Sequence, residues 1–176
     1  MIKILAIAGA SLALLGGCAS MSTGSSTLKT ADAVPMSHYS GRWLEIARHP
    51  MALTNHCVAG YTTYAPGAKP GEFAVEDGCH HDTPSGKLKT ITARGILHDA
   101  GAANARLEAR YPLFITWHYW VLYEAPDHGW FISADPAMKN LWIYTRSVPS
   151  ADELAVMVAK AKALGYDTTQ LEFPAP

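Results

Sequence analysis

The side chains best able to do chemistry in this sequence are two cysteines that lie next to histidines. Cys57 follows His56, and Cys79 precedes His80 and His81. Thiolates and imidazoles are zinc ligands, so a metal site is one interpretation, although the spacing matches no standard zinc pattern. The other interpretation is a disulfide, which would close a loop of about 20 residues and stabilise the fold by on the order of 3 kcal/mol.

The first seventeen residues favour the disulfide, because they indicate export to an oxidising compartment. Lys3 is followed by an apolar run of about a dozen residues and then by small residues, which is typical of a signal peptide and too short for a good spanning helix. Cysteines in such compartments pair by default. The sequence therefore predicts a bridge between Cys57 and Cys79, and no metal site.

The end of this leader resembles the cleavage box of bacterial lipoproteins. Leu15, Gly16 and Gly17 precede Cys18, which in such proteins becomes the lipid-modified first residue of the mature chain. Ala19 stands where lipoproteins retained at the inner membrane usually carry aspartate, so the resemblance implies transfer to the outer membrane. The mature protein would then be anchored to a membrane without spanning it. The alternative is an ordinary signal peptide with a chance cysteine.

Composition divides the rest of the chain into a tether and one domain. Residues 18–36 are rich in Ser, Thr, Gly and Ala and lack a hydrophobic period, which indicates a flexible tether that begins at the lipidated cysteine. Residues 37–176 then form a single domain, because roughly 140 residues are ordinary for one core. The net charge of -1 argues against nucleic-acid binding and against a polybasic membrane-binding patch.

Short apolar segments separated by turn residues predict eight β-strands at spacings of about a dozen residues. The predicted strands cover residues 43–49, 57–65, 72–80, 87–98, 105–111, 116–124, 130–134 and 141–146. One helix follows, opened by a capping box of Ser150 and Glu153 and ended by Gly165. Residues 169–173 have the pattern of a short last strand. A run of hairpins with one late helix predicts an all-β protein, as an antiparallel barrel or sandwich.

Two motifs about a hundred residues apart indicate how such a sheet closes. In the first, Gly41 turns the chain into a strand, and Trp43 begins a face that it shares by alternation with Glu45 and Ala47. In the second, Arg146 ends the eighth predicted strand. Its guanidinium could lie flat over the Trp43 indole, a cation–π contact worth roughly 1 kcal/mol.

With these motifs the chain resembles the lipocalins, and most closely the bacterial outer-membrane lipoprotein lipocalins akin to apolipoprotein D. The resemblance covers residues 38 to 173. It implies an eight-stranded antiparallel up-and-down β-barrel with one C-terminal α-helix packed on the outside. Gly41, Trp43 and Arg146 would be structural residues that close the bottom. The family's middle motif is represented only loosely, by residues 123–128.

The resemblance also implies a pocket at the open end for fatty acids, lysophospholipids or other small hydrophobic molecules. Trp142 and Tyr144 share the face of Arg146, and one face of the sixth strand offers a run of aromatic side chains. The predicted ligand-binding residues are Trp142, Tyr144, Tyr119, Tyr123, Val121 and Glu45. Glu45 would need an arginine or tyrosine partner, or access to water.

Other residues near the predicted pocket have two interpretations each. Arg94 and Arg110 would either hold a lipid head group or simply face solvent. Met51 and Leu53 lie in the segment expected over the open end and could form part of a lid.

Two further classes of protein are weighed against a lipid carrier. An isomerase-like enzyme is the second hypothesis, because a few lipocalins are enzymes of this kind. The lack of a nucleophile elbow, a zincin helix and a phosphate-binding glycine loop in the sequence argues against it. A haem or tetrapyrrole carrier is the third, with His118 or His81 as axial ligand. The prediction is a non-enzymatic protein without a cofactor that handles envelope lipids, and a homodimer is left open.

Overall fold

The computed structural model describes residues 28–176, whose eight antiparallel strands form a closed barrel. The strands are β1 (Gly41–Arg48), β2 (Cys57–Pro66), β3 (Glu72–His81), β4 (Leu88–Leu97), β5 (Arg106–Arg110), β6 (Thr116–Glu124), β7 (Trp130–Ala134) and β8 (Leu141–Thr145). Each strand pairs with the next along the chain, and β1 also pairs with β8. The predicted eight-stranded up-and-down barrel is confirmed.

The helix α1 (Ala151–Ala163) packs on the outside of the barrel, as predicted. The capping box is present: the Ser150 hydroxyl accepts from the Glu153 amide, and the Glu153 carboxylate accepts from the Ser150 amide at 2.7 Å. Met157 and Ala161 are buried against the apolar outer side of β7 and β8. The eight strands close one barrel, and the helix packs on that barrel over a shared cluster of buried apolar side chains. Residues 28–176 therefore form one folded unit.

A shift in the pairing of β1 with β8 changes which β1 side chains face inward. The register shifts between Glu45 and Ala47. An extra residue at such a bulge reverses the alternation beyond it. Ala47 therefore lies in the outer cluster beneath α1, while Arg48 points into the barrel. The predicted inward position of Ala47 is wrong for this reason.

A second shift, in the pairing of β6 with β7, has the same effect on Tyr123. The register shifts after Val121, which still lies in the inner cluster. Tyr123 instead packs outside the barrel, with its ring 4.9 Å from that of Trp130 and 4.1 Å from the Lys160 ammonium. The prediction that Tyr123 faces the cavity is therefore wrong.

The last residues do not form the predicted strand at 169–173. Thr168–Gln170 is a 3-10 turn, in which the Asp167 carboxylate accepts a hydrogen bond from the Thr169 amide. A single antiparallel bridge then joins Glu172 to Arg48. An aspartate that bonds its own backbone two residues on favours a turn over a sheet ladder.

Residues 28–35, which the sequence assigns to the tether, lie along the barrel wall. The Ala31 amide donates to the carbonyl of Val121 at 2.9 Å, and the Val34 amide donates to that of Ala103 at 2.8 Å. Val34 is fully buried in the inner cluster. The ordered domain therefore begins before residue 37.

The leader at 1–17, Cys18 and residues 19–27 lie outside the described residues, so the predictions made for them stay predictions. In the part of the chain from residue 28 onward, no helix is long and apolar enough to cross a membrane.

The predicted contact between Arg146 and Trp43 closes one end of the barrel. The guanidinium carbon lies 3.4 Å from the indole centroid, and the fully buried indole donates its N–H to the His38 carbonyl at 2.9 Å. Arg146 also donates to the backbone carbonyls of Ser40, in the turn before β1, and of Arg42, the second residue of β1, at 2.9 Å each. Gly41 provides that turn with a φ of +68°, a conformation that favours glycine.

Replacing Arg146 with alanine should lower the free energy of unfolding by about 2–3 kcal/mol. The substitution removes the cation–π contact with the buried indole and leaves the Ser40 and Arg42 carbonyls without this donor. Urea unfolding of residues 28–176 measures this loss, and Arg146→Lys, which keeps the charge without the planar fork, should fall between alanine and wild type. Ligand affinity should change less than stability, because the side chain lies at the closed end. The opposite ranking would place Arg146 in the ligand site.

Candidate functional site

The end of the barrel opposite Arg146 opens into a cavity of about 280 Å³. It extends from the loops at the mouth to Trp142 and Tyr144, which belong to the inner cluster of buried side chains. Its apolar wall includes Met51, Leu53, Ile91, Trp117, Tyr119 and Trp142. Met51 and Leu53 belong to the loop between β1 and β2, so the predicted lid residues do lie at the mouth.

The structure brings four of the six predicted ligand-binding residues together. Glu45, Tyr119, Trp142 and Tyr144 line the cavity. The Tyr119 and Trp142 rings are 5.0 Å apart, and Trp117 meets Trp142 edge to face at 6.2 Å. Val121 is buried in the closed half, and Tyr123 lies outside as described above. Aromatic walls with polar tips are typical of small-ligand pockets.

Glu45 is paired with Arg48, a cavity residue that the sequence analysis missed. Arg48 donates from Nη1 to Glu45 at 2.5 Å, and both side chains are buried. Its Nη2 donates to the carbonyls of Thr54 and Cys57 at 3.1 and 3.0 Å, and its Nε donates to the Glu172 carboxylate at 3.1 Å. Every guanidinium nitrogen of Arg48 thus has a protein partner. The pair joins the barrel wall to the mouth loop and to the C-terminal segment.

The protonation of Glu45 reflects two opposed effects. Burial raises the pKa of the Glu45 carboxyl, while the charge of Arg48 and the hydrogen bond from it act in the opposite direction. A partner for Glu45 was expected, but alternation gave no signal for Arg48, because an even spacing, not three residues, keeps two strand side chains on one face.

Asp77 is a second carboxylate in the cavity that the sequence analysis did not find. It points inward from β3, and its oxygens accept hydrogen bonds from the hydroxyls of Thr62, at 2.5 Å, and Tyr111. The Tyr111 hydroxyl is 3.1 Å from that of Tyr119. Burial raises the pKa of Asp77, and the bonds from Thr62 and Tyr111 oppose that shift. In the sequence Asp77 follows Glu76 in a polar stretch, which indicates solvent exposure and not a cavity position.

The predicted disulfide is present, with Cys57 and Cys79 bonded at the mouth of the cavity. The neighbouring histidines do not approach it as metal ligands. His56 and His81 both bond the Asp82 carboxylate, at 2.7 and 2.6 Å. Within residues 28–176, no three His, Cys, Asp or Glu side chains are grouped as a metal site would require.

Two predicted head-group arginines lie on the outer surface. Arg94 pairs with Glu72 at 2.5 Å, and Arg110 pairs with Glu108. Both glutamates alternate with inward-facing neighbours on their strands, so these ion pairs face solvent. Of the two interpretations of Arg94 and Arg110, the structure supports the solvent-facing one.

The histidines considered as haem ligands also lie outside the cavity. His118 is on the outer face of β6, opposite Glu108, because its neighbours Trp117 and Tyr119 face inward. His81 is at the rim with Asp82. None of the described residues that line the cavity is a histidine.

An up-and-down barrel closed by an arginine on a buried tryptophan, with an outer helix and an apolar cavity at its mouth, is the architecture of a lipocalin. Sequence comparison agrees, since the family model described as a lipocalin-like domain matches residues 34–176. The chain belongs to the lipocalin family. Proteins of this family generally bind small hydrophobic ligands in the barrel and are generally not enzymes.

Similar proteins include one from a plant and one from an insect. The chain is 30% identical over 146 residues to temperature-induced lipocalin-1 of Arabidopsis thaliana, covering 76% of this chain and 74% of that protein. Insecticyanin from the tobacco hornworm Manduca sexta is similar in structure, with a TM-score of 0.62, 18% identity and coverage of 85% and 84%. Apocrustacyanin C1 gives a TM-score of 0.59, 17% identity and coverage of 79% and 78%. At these identities the structural likenesses show the fold alone.

Replacing Arg48 with methionine should lower the free energy of unfolding by about 3–5 kcal/mol, because it leaves the Glu45 carboxylate buried without its partner. Urea unfolding at about pH 8 measures this loss. As the pH is lowered the loss should become smaller, because a carboxyl with a raised pKa takes up its proton and then needs no cation.

The double variant Glu45→Gln with Arg48→Met should lose less stability than Arg48→Met alone. The matched control for the single variant Arg48→Met is Arg42→Met, because Arg42 is an exposed arginine on the same strand. If Arg48→Met costs no more than Arg42→Met, the ion pair does not support the barrel.

Proposed function

We propose that this protein is a membrane-anchored lipocalin that carries or stores small hydrophobic ligands such as fatty acids or lysophospholipids. The observation that carries the proposal is the cavity itself, which is open at one end and walled mainly by apolar and aromatic side chains. Its volume is near the lower end of the range of small-molecule pockets, of about 300–1,000 Å³, and suits one alkyl chain.

Charge at the mouth supports an anionic head group. Lys89 lines the cavity near the start of β4, and its side chain is exposed to solvent. A carboxylate or phosphate beside Lys89 would stay hydrated at the rim while its alkyl chain entered the barrel.

Exposed apolar side chains around the mouth support action at a lipid surface. Leu53 is 74% exposed, Leu113 is 86% exposed, and Phe114 is fully exposed. Leu113 and Phe114 form the tip of the hairpin between β5 and β6, with φ of +61° and +62°. Each such conformation costs on the order of 1–3 kcal/mol in a non-glycine residue. The tip thus directs two large apolar groups away from the protein, which suits insertion between lipids.

The direction of the N-terminal segment supports the same orientation. From Val34, near the closed end, the chain runs back past Ala31 beside β6 to Leu28, and so toward the mouth. Cys18 precedes Leu28 by ten residues, which span at most about 35 Å when extended. A lipid on Cys18 and the rim of the mouth could therefore reach one bilayer together.

The proposed location is the outer membrane of a bacterium, facing the periplasm, and the proposed role is maintenance of envelope lipids. Support for the location is the resemblance of residues 15–18 to a lipoprotein cleavage box, with Ala19 after the cysteine. The alternatives of a tetrapyrrole carrier and an isomerase-like enzyme have less support, because His118 and His81 lie outside the cavity.

Residues 28–176, stripped of lipid, should bind a fluorescent fatty-acid or lysolipid probe with a Kd of about 1 μM or tighter. Trp142→Ala should weaken the probe affinity by about tenfold, because it removes a large apolar wall of the cavity. Trp120→Ala is the matched control, since Trp120 is a tryptophan on the outer side of β6 beneath Arg106. Native mass spectrometry of the full chain extracted from membranes should also show bound lipid. Absence of both probe binding and bound lipid would contradict the proposal.

Leu113→Ser combined with Phe114→Ser should slow the transfer of a fluorescent fatty acid from the domain to phospholipid vesicles by about tenfold or more, since each buried side chain contributes about 1.5–3 kcal/mol to membrane contact. Val156→Ser is the control, because Val156 is an exposed apolar residue on α1, away from the mouth. Equal transfer rates in the two variants would show that the rim does not face the bilayer. Loss of a concentration-dependent dimer in the double variant would assign the rim to a second copy of the chain instead.

A further inference from the structure

Asp77 lies on the side of the cavity toward the closed end, here called the floor, because its paired residue Thr62 is in turn paired with Trp43. The charge of Asp77 is not balanced by a cation. Among residues 28–176, no lysine, arginine or histidine forms an ion pair with it, whereas Glu45 in the same cavity has Arg48. Its two partners are neutral hydroxyls, from Thr62 on the paired position of β2 and from Tyr111. Asp77 keeps part of its surface open toward the cavity.

In the cluster of Asp77, Thr62, Tyr111 and Tyr119, every hydroxyl proton is already used, while Asp77 still has free acceptor sites. Tyr111 has one hydroxyl proton, which it donates to Asp77, so the contact of 3.1 Å between Tyr111 and Tyr119 uses the proton of Tyr119. The Thr62 hydroxyl also donates its proton to Asp77. An ionised carboxylate has about four acceptor sites, of which the protein fills two. A ligand group that reaches Asp77 therefore has to donate.

We propose that the floor of the cavity is a binding site for a hydrogen-bond donor on a hydrophobic ligand, namely a hydroxyl or a protonated amino group that bonds Asp77. This inference rests on the proposed function and adds to it the chemical class of the ligand. Carboxylates and phosphates are disfavoured beside Asp77, because they would bring acceptors and like charge to it. Such groups remain at the mouth beside Lys89.

The two ends of the cavity thus select by opposite chemistry. Lys89 at the mouth favours anions, and Asp77 at the floor favours donors. The wall between them, formed by Ile91, Trp117 and Trp142, is apolar. The ligand that fits both ends is a long or cyclic hydrocarbon with a hydroxyl or ammonium group at the end that enters first and an anionic group at the end that stays beside Lys89.

The test uses three ligands with equal chains, dodecylamine, dodecanol and dodecanoate, which displace a fluorescent lipid probe from residues 28–176. Wild-type protein should bind the amine and the alcohol about tenfold more tightly than dodecanoate. The reason is that the ammonium group donates a charge-assisted hydrogen bond to Asp77 and the hydroxyl donates a neutral one, whereas the carboxylate donates none. Asp77→Asn should lose most of this preference for the amine, while its affinity for dodecanoate stays equal or improves.

The matched control is Glu76→Gln, which removes the same charge from the neighbouring residue on the outer face of β3. Glu76 accepts from the Tyr61 hydroxyl and does not line the cavity. Its ligand preference should equal that of wild type. An equal change in Asp77→Asn and Glu76→Gln would overturn the proposal, because net charge alone would then explain the effect.

Acidification provides a second test of the role of Asp77. Lowering the pH through the range in which Asp77 takes up its proton should weaken dodecylamine binding in the wild type, because a neutral carboxyl no longer attracts an ammonium group. The tyrosines that act on Asp77 are Tyr61, Tyr64, Tyr111, Tyr119 and Tyr144, whose pKa values are all raised by burial. The other charged groups that act on Asp77 are the Glu45–Arg48 pair and the neighbouring Glu76. The tyrosines stay neutral, and Asp77→Asn isolates the contribution of Glu45.

The outcomes separate this inference from the function on which it rests. Binding of dodecanoate as tight as that of the amine in wild-type protein would overturn the donor site but leave a lipid carrier. Failure of the fluorescent probe and of all three ligands to bind would overturn both.

Discussion

The contact between the Arg146 guanidinium and the Trp43 indole is the constraint on which the rest of the barrel depends. It joins the first strand to the residue after the last one at the point where the sheet closes. The fully buried indole and the turn that covers it fill the narrow end, and the inner cluster packs above them. Space for a ligand therefore remains only toward the other end. A closed sheet of eight strands leaves room for one small molecule, and this plug decides where that room lies.

The open half differs from the closed half in how it handles buried charge. Glu45 is neutralised by Arg48, which in turn is satisfied by two carbonyls and a second carboxylate. Asp77 has only hydroxyls as partners. Removing a carboxylate from water is costly unless it is paired or accepts several hydrogen bonds. The first arrangement is self-contained and stabilises the mouth, whereas the second leaves hydrogen-bonding capacity that only water or a ligand can use.

Sequence alone predicts the strands, the helix and the plug, because these depend on local period and on two well-separated motifs. Strand ends fall within about two residues of the prediction, as boundaries usually do. Alternation fails where a bulge intervenes, which is why Ala47 and Tyr123 lie outside the barrel and Arg48 lies inside. Such bulges arise from the pairing of distant strands, so no local pattern in the sequence signals them.

The cavity is harder to predict than the fold for the same reason. Trp142, Tyr144 and Tyr119 follow from alternation, because no bulge lies between them and their reference residues. Asp77 could have been found only by knowing that β3 faces Thr62 and that Tyr111 lies across the barrel. The N-terminal residues around Val34 are a similar case. Their few apolar side chains lie in a polar stretch of the sequence and are buried only by contact with the assembled barrel, so the local pattern does not reveal them.

The disulfide between Cys57 and Cys79 makes the mouth unequal in stiffness around its circumference. It ties β2 to β3 at the rim, so these two strands cannot spread apart there. The rest of the rim, which includes the turn Ala52–Thr54 and the hairpin tip at 112–114, is linked to the wall by noncovalent contacts. A guest wider than the resting aperture would therefore enter by displacing these noncovalently held segments, and the side with the covalent bond would act as the fixed frame.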